Sequence, residues 1–166
     1  MLPPRQMQRL RFLLPLVAFA LSSSLAVSPS VATLKKEIRA NYLAINELAQ
    51  RGQLKVAQRQ CSGSGPEFSL LTDRSGNVRR YLISGGTSDS AVTWQHDYDT
   101  AGRLTFVLVT YGNVHGGEAE WRLYFAPSGR LAELVRSGST ALVSDELLWT
   151  FITREPALDW KTNWCP

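Results

Sequence analysis

Few residues in this chain have the type and spacing to do chemistry. The 166 residues include two histidines, His96 and His115, and two cysteines, Cys61 and Cys165. His96 lies in Trp94-Gln-His-Asp-Tyr-Asp99, close in sequence to two carboxylates. His115 lies in a glycine-rich stretch ahead of Glu118 and Glu120. A histidine with a carboxylate in reach can serve as a general base or hold a cation. On a regular strand, however, side chains alternate between the two faces, so His96 points away from both Asp97 and Asp99. The three cannot close on one metal ion. The same alternation puts Trp94, His96 and Tyr98 side by side, an aromatic strip on which a ligand such as a sugar ring could stack. That strip is the candidate ligand face. No GxSxG, HExxH or GK[ST] motif is present, so no catalytic residue, metal ligand or cofactor is assigned.

The cysteines call for a different chemistry. Neither has a histidine within a few residues, and there is no CxxC. In an exported chain two such cysteines form one disulfide. A Cys61–Cys165 bridge would close a loop of about 100 residues, worth roughly 4–5 kcal/mol in the chain-entropy account.

Export is itself read from the sequence. Arg5, Arg9 and Arg11 form a basic start, Phe12 to Leu25 is an apolar run broken by Pro15, and Ser24 and Ala26 make a small-residue cleavage site. Residues 1–26 therefore read as a secretory signal peptide. The run is shorter than the roughly 20 residues a membrane span requires, so no stable span is expected after its removal. The whole chain carries 18 basic and 14 acidic residues. Three arginines leave with the signal, and the rest is close to neutral. The high pI is then no argument for nucleic-acid or anionic-membrane binding. Residues 27–166 suffice for a single α+β domain with a real core.

The elements that must position these residues follow. Over 32–51, Leu34, Ile38, Tyr42, Ile45, Leu48 and Ala49 recur at three- and four-residue steps, which predicts an amphipathic helix. Thr33 reads as its N-cap and Gly52 as its C′ residue. Lys35, Lys36, Arg39, Asn46 and Gln50 cover the opposite side. From 54 to 137 the pattern is an antiparallel β-meander of about five to seven strands. Its best-preserved unit is Trp94 to Tyr111. Asp99-Thr-Ala-Gly102 has the chemistry of a type I turn followed by a left-handed glycine. That turn pairs Tyr98 with Leu104, His96 with Phe106 and Trp94 with Leu108, leaving Phe106 and Leu108 on the aromatic face. Gly76 and Gly129 occupy similar frames 26 residues before and 27 after Gly102, so three hairpins stand in series. Ser84–Ser90 and Gly112–Glu118 read as polar connectors between them. In the third hairpin the same register pairs Leu123 with Glu133 and Arg122 with Leu134, and neither face is cleanly apolar. The last segment, 144–166, begins with Ser144 as an N-cap of a short helix and carries Trp160 and Trp164 toward Cys165. It is expected to lie across the sheet.

Tyr98-Asp-Thr-Ala-Gly-Arg-Leu104 resembles the YD repeat of RHS-type cell-surface and toxin-shell proteins, and Tyr124 to Leu131 is a looser match. The resemblance implies β-hairpin geometry and a structural role without chemistry. In layout the chain is also similar to small exported bacterial proteins of unknown function.

The sequence thus points to a secreted or periplasmic, non-enzymatic binding or structural module. Its partner would be a protein or cell-envelope component. The alternative is a small hydrolase built around His96 or His115 and nearby carboxylates.

Overall fold

The computed structural model describes residues 30–63, 65–162 and 165. Residues 1–26, read from the sequence as a signal peptide, and Trp164 lie outside the described residues.

The first element is the amphipathic helix α1, Val31–Gln50, with Leu34, Ile38 and Ile45 buried. Its N-cap is Ser30 rather than Thr33: the Ser30 hydroxyl accepts from the Thr33 N–H at 3.2 Å. Serine three residues upstream satisfies one of the free N–H groups of the first turn, which lengthens the helix at that end. At the other end Gly52 takes φ +62°. The Gln53 N–H reaches back to the Leu48 carbonyl and closes the helix.

Seven strands follow: β1 Lys55–Gln60, β2 Glu67–Thr72, β3 Val78–Gly86, β4 Ser90–Tyr98, β5 Leu104–Asn113, β6 Glu118–Phe125 and β7 Leu131–Gly138. They form one antiparallel sheet in which spatial order equals sequence order. The two stretches read as connectors are about half strand. β3 runs to Gly86 and β5 to Asn113, leaving tight turns. The turn after β5 repeats the chemistry of the others: Asn113 Oδ1 accepts from the N–H groups of His115 and Gly117, as Asp99 Oδ1 does from Ala101 and Arg103.

Each of the three hairpins centred on Gly76, Gly102 and Gly129 carries a register shift just past its turn. One extra residue sits in the returning strand: Arg79, Thr105 and Ala132. These β-bulges correct the expected pairing. Tyr98 does face Leu104, but His96 faces Val107 and Trp94 faces Val109. Phe106 and Leu108 therefore leave the aromatic face and join Asp97 and Gln95 on the other. In the third hairpin Leu123 faces Leu134 and Arg122 faces Val135, which restores an apolar row.

The two faces differ in cover. One presents the rows Phe68–Ile83–Trp94–Val109–Trp121 and Leu70–Tyr81–His96–Val107–Leu123–Leu134. The C-terminal segment lies against it. After a 3-10 turn, Thr140–Leu142, come α2, Asp145–Thr150, and α3, Pro156–Lys161. Ser144 caps α2. Val143, Leu148, Phe151, Ile152 and Trp160 join this main core. Each large apolar side chain sealed there contributes roughly 1.5–3 kcal/mol. Cys61 and Cys165 are bonded at 2.04 Å with Cα atoms 5.5 Å apart, which ties the end of β1 to the C-terminal segment.

On the opposite face α1 makes its contacts along one cross-strand row, Leu71–Arg80–Asp97–Phe106–Tyr124–Glu133. Ile45 clusters with Leu71. Asn46 accepts from Arg80 at 2.8 Å. Leu34 and Ile38 cluster with Phe106, and Lys35 pairs with Glu133 at 3.1 Å. Asn41 is the central tie: its amide N–H groups reach the Tyr98 carbonyl and Thr105 Oγ1, and its Oδ1 accepts from Arg79 at 2.9 Å. Two of the three bulges thus aim their extra residue at one helix side chain.

Candidate functional site

Trp94, His96 and Tyr98 do lie together, but not at a surface. Their exposures are 1, 0 and 0 %. Trp94 packs against Phe151 with ring centroids 4.7 Å apart and the ring planes tilted by 49°, and it donates from Nε1 to the Leu148 carbonyl. The Tyr98 hydroxyl donates to the Thr153 carbonyl at 3.0 Å. Burial holds the Tyr98 phenol strongly protonated. The C-terminal segment takes the place that a ligand would need.

His96 is enclosed in the same core, with Nδ1 3.2 Å from the Tyr81 carbonyl. Burial lowers its pKa to about 4, against hydrogen bonds that the ring makes to the backbone of Tyr81 and Phe151, which favour the charged form. Sealed from solvent, it can meet no substrate. Asp97 points to the other face, as alternation requires, and receives a two-pronged contact from Arg80 at 2.6 and 3.0 Å. Burial pushes its carboxyl up, while Arg80, Gln95 and Arg79 hold it down. Asp99 serves its own turn and pairs with Arg103 at 2.7 Å. His115 is exposed in the β5–β6 turn, where its backbone N–H is used by Asn113. Among the described residues no group of three or more His, Cys, Asp or Glu side chains is placed to hold a metal ion.

A concave surface lies elsewhere, between α1 and the part of the helix-side face that α1 leaves uncovered. This groove encloses about 700 Å³, within the range of small-ligand sites. Its floor is Ile38, Tyr42, Phe106, Leu108 and Tyr124. The rings are in mutual contact: Tyr42 meets Phe106 edge-on at 6.1 Å, and Phe106 lies 5.2 Å from Tyr124. Phe106 and Ile38 are buried, whereas Tyr42, Leu108 and Tyr124 are half-buried, and Leu43 at the lip is 55 % exposed.

The rim is charged and asymmetric. On the sheet side Arg122 is neutralised by Glu120 at 2.6 Å. On the helix side Lys35 is neutralised by Glu133 and also lies 5.0 Å over the Tyr124 ring. Lys36 and Arg39, three residues apart and so on neighbouring turns, line the same groove. Both are exposed, and neither has an ion pair among the described residues. Beyond Glu120 and Arg122 the groove opens onto a polar saddle floored by Thr93, Thr110 and Ser137.

The sequence did not single out this site. Lys36 and Arg39 belong to the polar side of the helix, and the register expected without a bulge leaves Phe106 and Leu108 on the face of Trp94. The signal that could have found the groove was the bulge. With one residue inserted after Leu104, the strand alternation turns two large apolar side chains onto the helix side, more than a single helix stripe can cover. No protein-family model matches the chain, and no curated protein or solved structure matches it either. Among the described residues no helix is long and apolar enough to cross a membrane.

Proposed function

We propose that this is an exported, non-enzymatic binding module whose ligand site is the groove between α1 and the sheet. The observation that carries the reading is the combination of a small-ligand volume with a floor of half-buried rings and aliphatic groups. Apolar side chains left half-covered in a concave site lower their free energy further when a ligand displaces water from them. The disulfide is compatible with an oxidising compartment. The alternative of a hydrolase loses support because His96 is enclosed in the core and His115 stands in an exposed turn.

The test is a titration of isotope-labelled protein with a neutral decyl glucoside below its micelle concentration. Amide shifts are expected at Ile38, Tyr42, Leu108 and Tyr124, with the indole signals of Trp94 and Trp121 unmoved. Leu108→Glu should weaken binding about ten-fold or more, since it sets a charge in an apolar floor. Shifts that map to the C-terminal segment, or full binding by the Leu108→Glu protein, would remove the groove as the site.

A further inference from the structure

We infer that the groove is built for a monomeric, single-chain anionic amphiphile, with a carboxylate or phosphate head held by Lys36 and Arg39 and its hydrocarbon chain laid along the aromatic floor. This rests on the groove being the ligand site and adds the chemistry of its occupant.

The argument is one of charge left over. Among the described residues, four cationic side chains line the groove. Two of them are spent within the protein: Lys35 on Glu133 and Arg122 on Glu120. Lys36 and Arg39 are the two that remain, and they stand on the same rim. An anion placed between them gains two charge-assisted contacts without breaking an existing pair. A cation there meets repulsion from both, and a neutral head gains neither contact. The floor sets the rest of the ligand. From Lys36 to Leu43 the helix rises ~10 Å, and over that length the floor is Ile38, Tyr42, Phe106 and Leu108. Such a strip suits an extended alkyl chain.

The same rim argues against a bilayer surface as the occupant. A flat anionic membrane would have to face both rims at once, and the sheet-side rim offers it only the Arg122–Glu120 pair, which has no net positive charge. Apart from Leu43 at the lip, the apolar residues of the site also sit on the floor of a concavity, out of reach of a planar surface. A single chain that drops between the rims meets only the helix side with its head.

The experiment compares amphiphiles of one tail length, each below its micelle concentration: decanoate and decyl phosphate, neutral decyl glucoside, and decyltrimethylammonium. A parallel arm uses sedimentation with vesicles rich in phosphatidylglycerol. Calorimetry on the disulfide-intact protein is expected to give one site per chain, with the anions binding at least about ten-fold tighter than the glucoside. The double variant Lys36→Glu/Arg39→Glu should erase that preference while retaining glucoside binding and the melting temperature. Equal binding of all heads in the groove would overturn the anion assignment and leave the groove standing as a site. Failure of every amphiphile to shift groove amides would overturn both. Association with vesicles but not with monomers would overturn the assignment to a single-chain ligand.

Discussion

The His96 ring has a cost that depends on pH. Its pKa falls from the ordinary 6.5 to about 4 in the fold because burial disfavours the charged form. Above pH 6.5 the ring is neutral folded or unfolded, and it contributes nothing to the pH dependence. As pH falls below 6.5 the unfolded chain takes up a proton that the folded one refuses, so stability drops until about pH 4. Linkage puts the loss near 2 kcal/mol at pH 5. Urea denaturation at pH 7 and pH 5 should show it. In His96→Leu the drop between those two pH values should shrink by about that amount, whatever the substitution costs at pH 7. Carboxylate contributions, Asp97 included, persist in both proteins and cancel in the comparison. A second residue-scale expectation concerns the Arg80–Asp97 pair on the other face. Asp97→Ala strands a buried guanidinium and should cost roughly 3–5 kcal/mol. Arg80→Met together with Asp97→Leu should recover much of that loss, read from the same denaturation curves.

At the scale of elements, the repeated unit is a turn together with a bulge, and only half of it could be read in advance. Asp73, Asp99, Gly76, Gly102 and Gly129 announce their turns because few residue types can cap a type I turn or take a positive φ. Gly102 has φ +76° and open space where a Cβ would stand. Gly102→Ala should therefore cost about 1 kcal/mol from backbone conformation alone, measurable as a small fall in melting temperature. The bulges left no such mark. Arg79, Thr105 and Ala132 share no side-chain type, and their common feature is position relative to the turn. The trace they do leave is indirect. Without a bulge the third hairpin sets Leu123 against Glu133; shifted by one residue, both it and the second hairpin gain apolar rows. The helix and the disulfide were legible because periodicity and cysteine count act locally. The cover over Trp94 was not, because it depends on how Leu148 and Phe151 return to the sheet from more than fifty residues away. Asn41 links these elements. Asn41→Leu should cost roughly 1–3 kcal/mol, since it leaves Arg79 without its 2.9 Å acceptor in a buried position.

For the molecule as a whole, the two covers are held in different ways. The C-terminal segment is joined to the sheet covalently through Cys61–Cys165, across a separation of 104 residues. Reduction should lower the free energy of unfolding by about 4–5 kcal/mol in the chain-entropy account. Dithiothreitol should accordingly lower the urea midpoint, with the fluorescence of Trp94 and Trp121 reporting exposure of their face. The helix has no such bond. Its 20 residues span roughly 30 Å, and seven strands stand about 29 Å across from first to last. α1 is therefore as long as the sheet is wide, and its contacts reach from Leu71 on β2 to Glu133 on β7. In mechanical terms it is a crossbar on a slatted panel. A meander whose neighbours in space are neighbours in sequence can otherwise be peeled from either edge, one hairpin at a time. With a rigid bar fixed to strand after strand, an edge hairpin cannot swing away unless the bar lifts from the others as well. The six strands from β2 to β7 are thereby bound to open together.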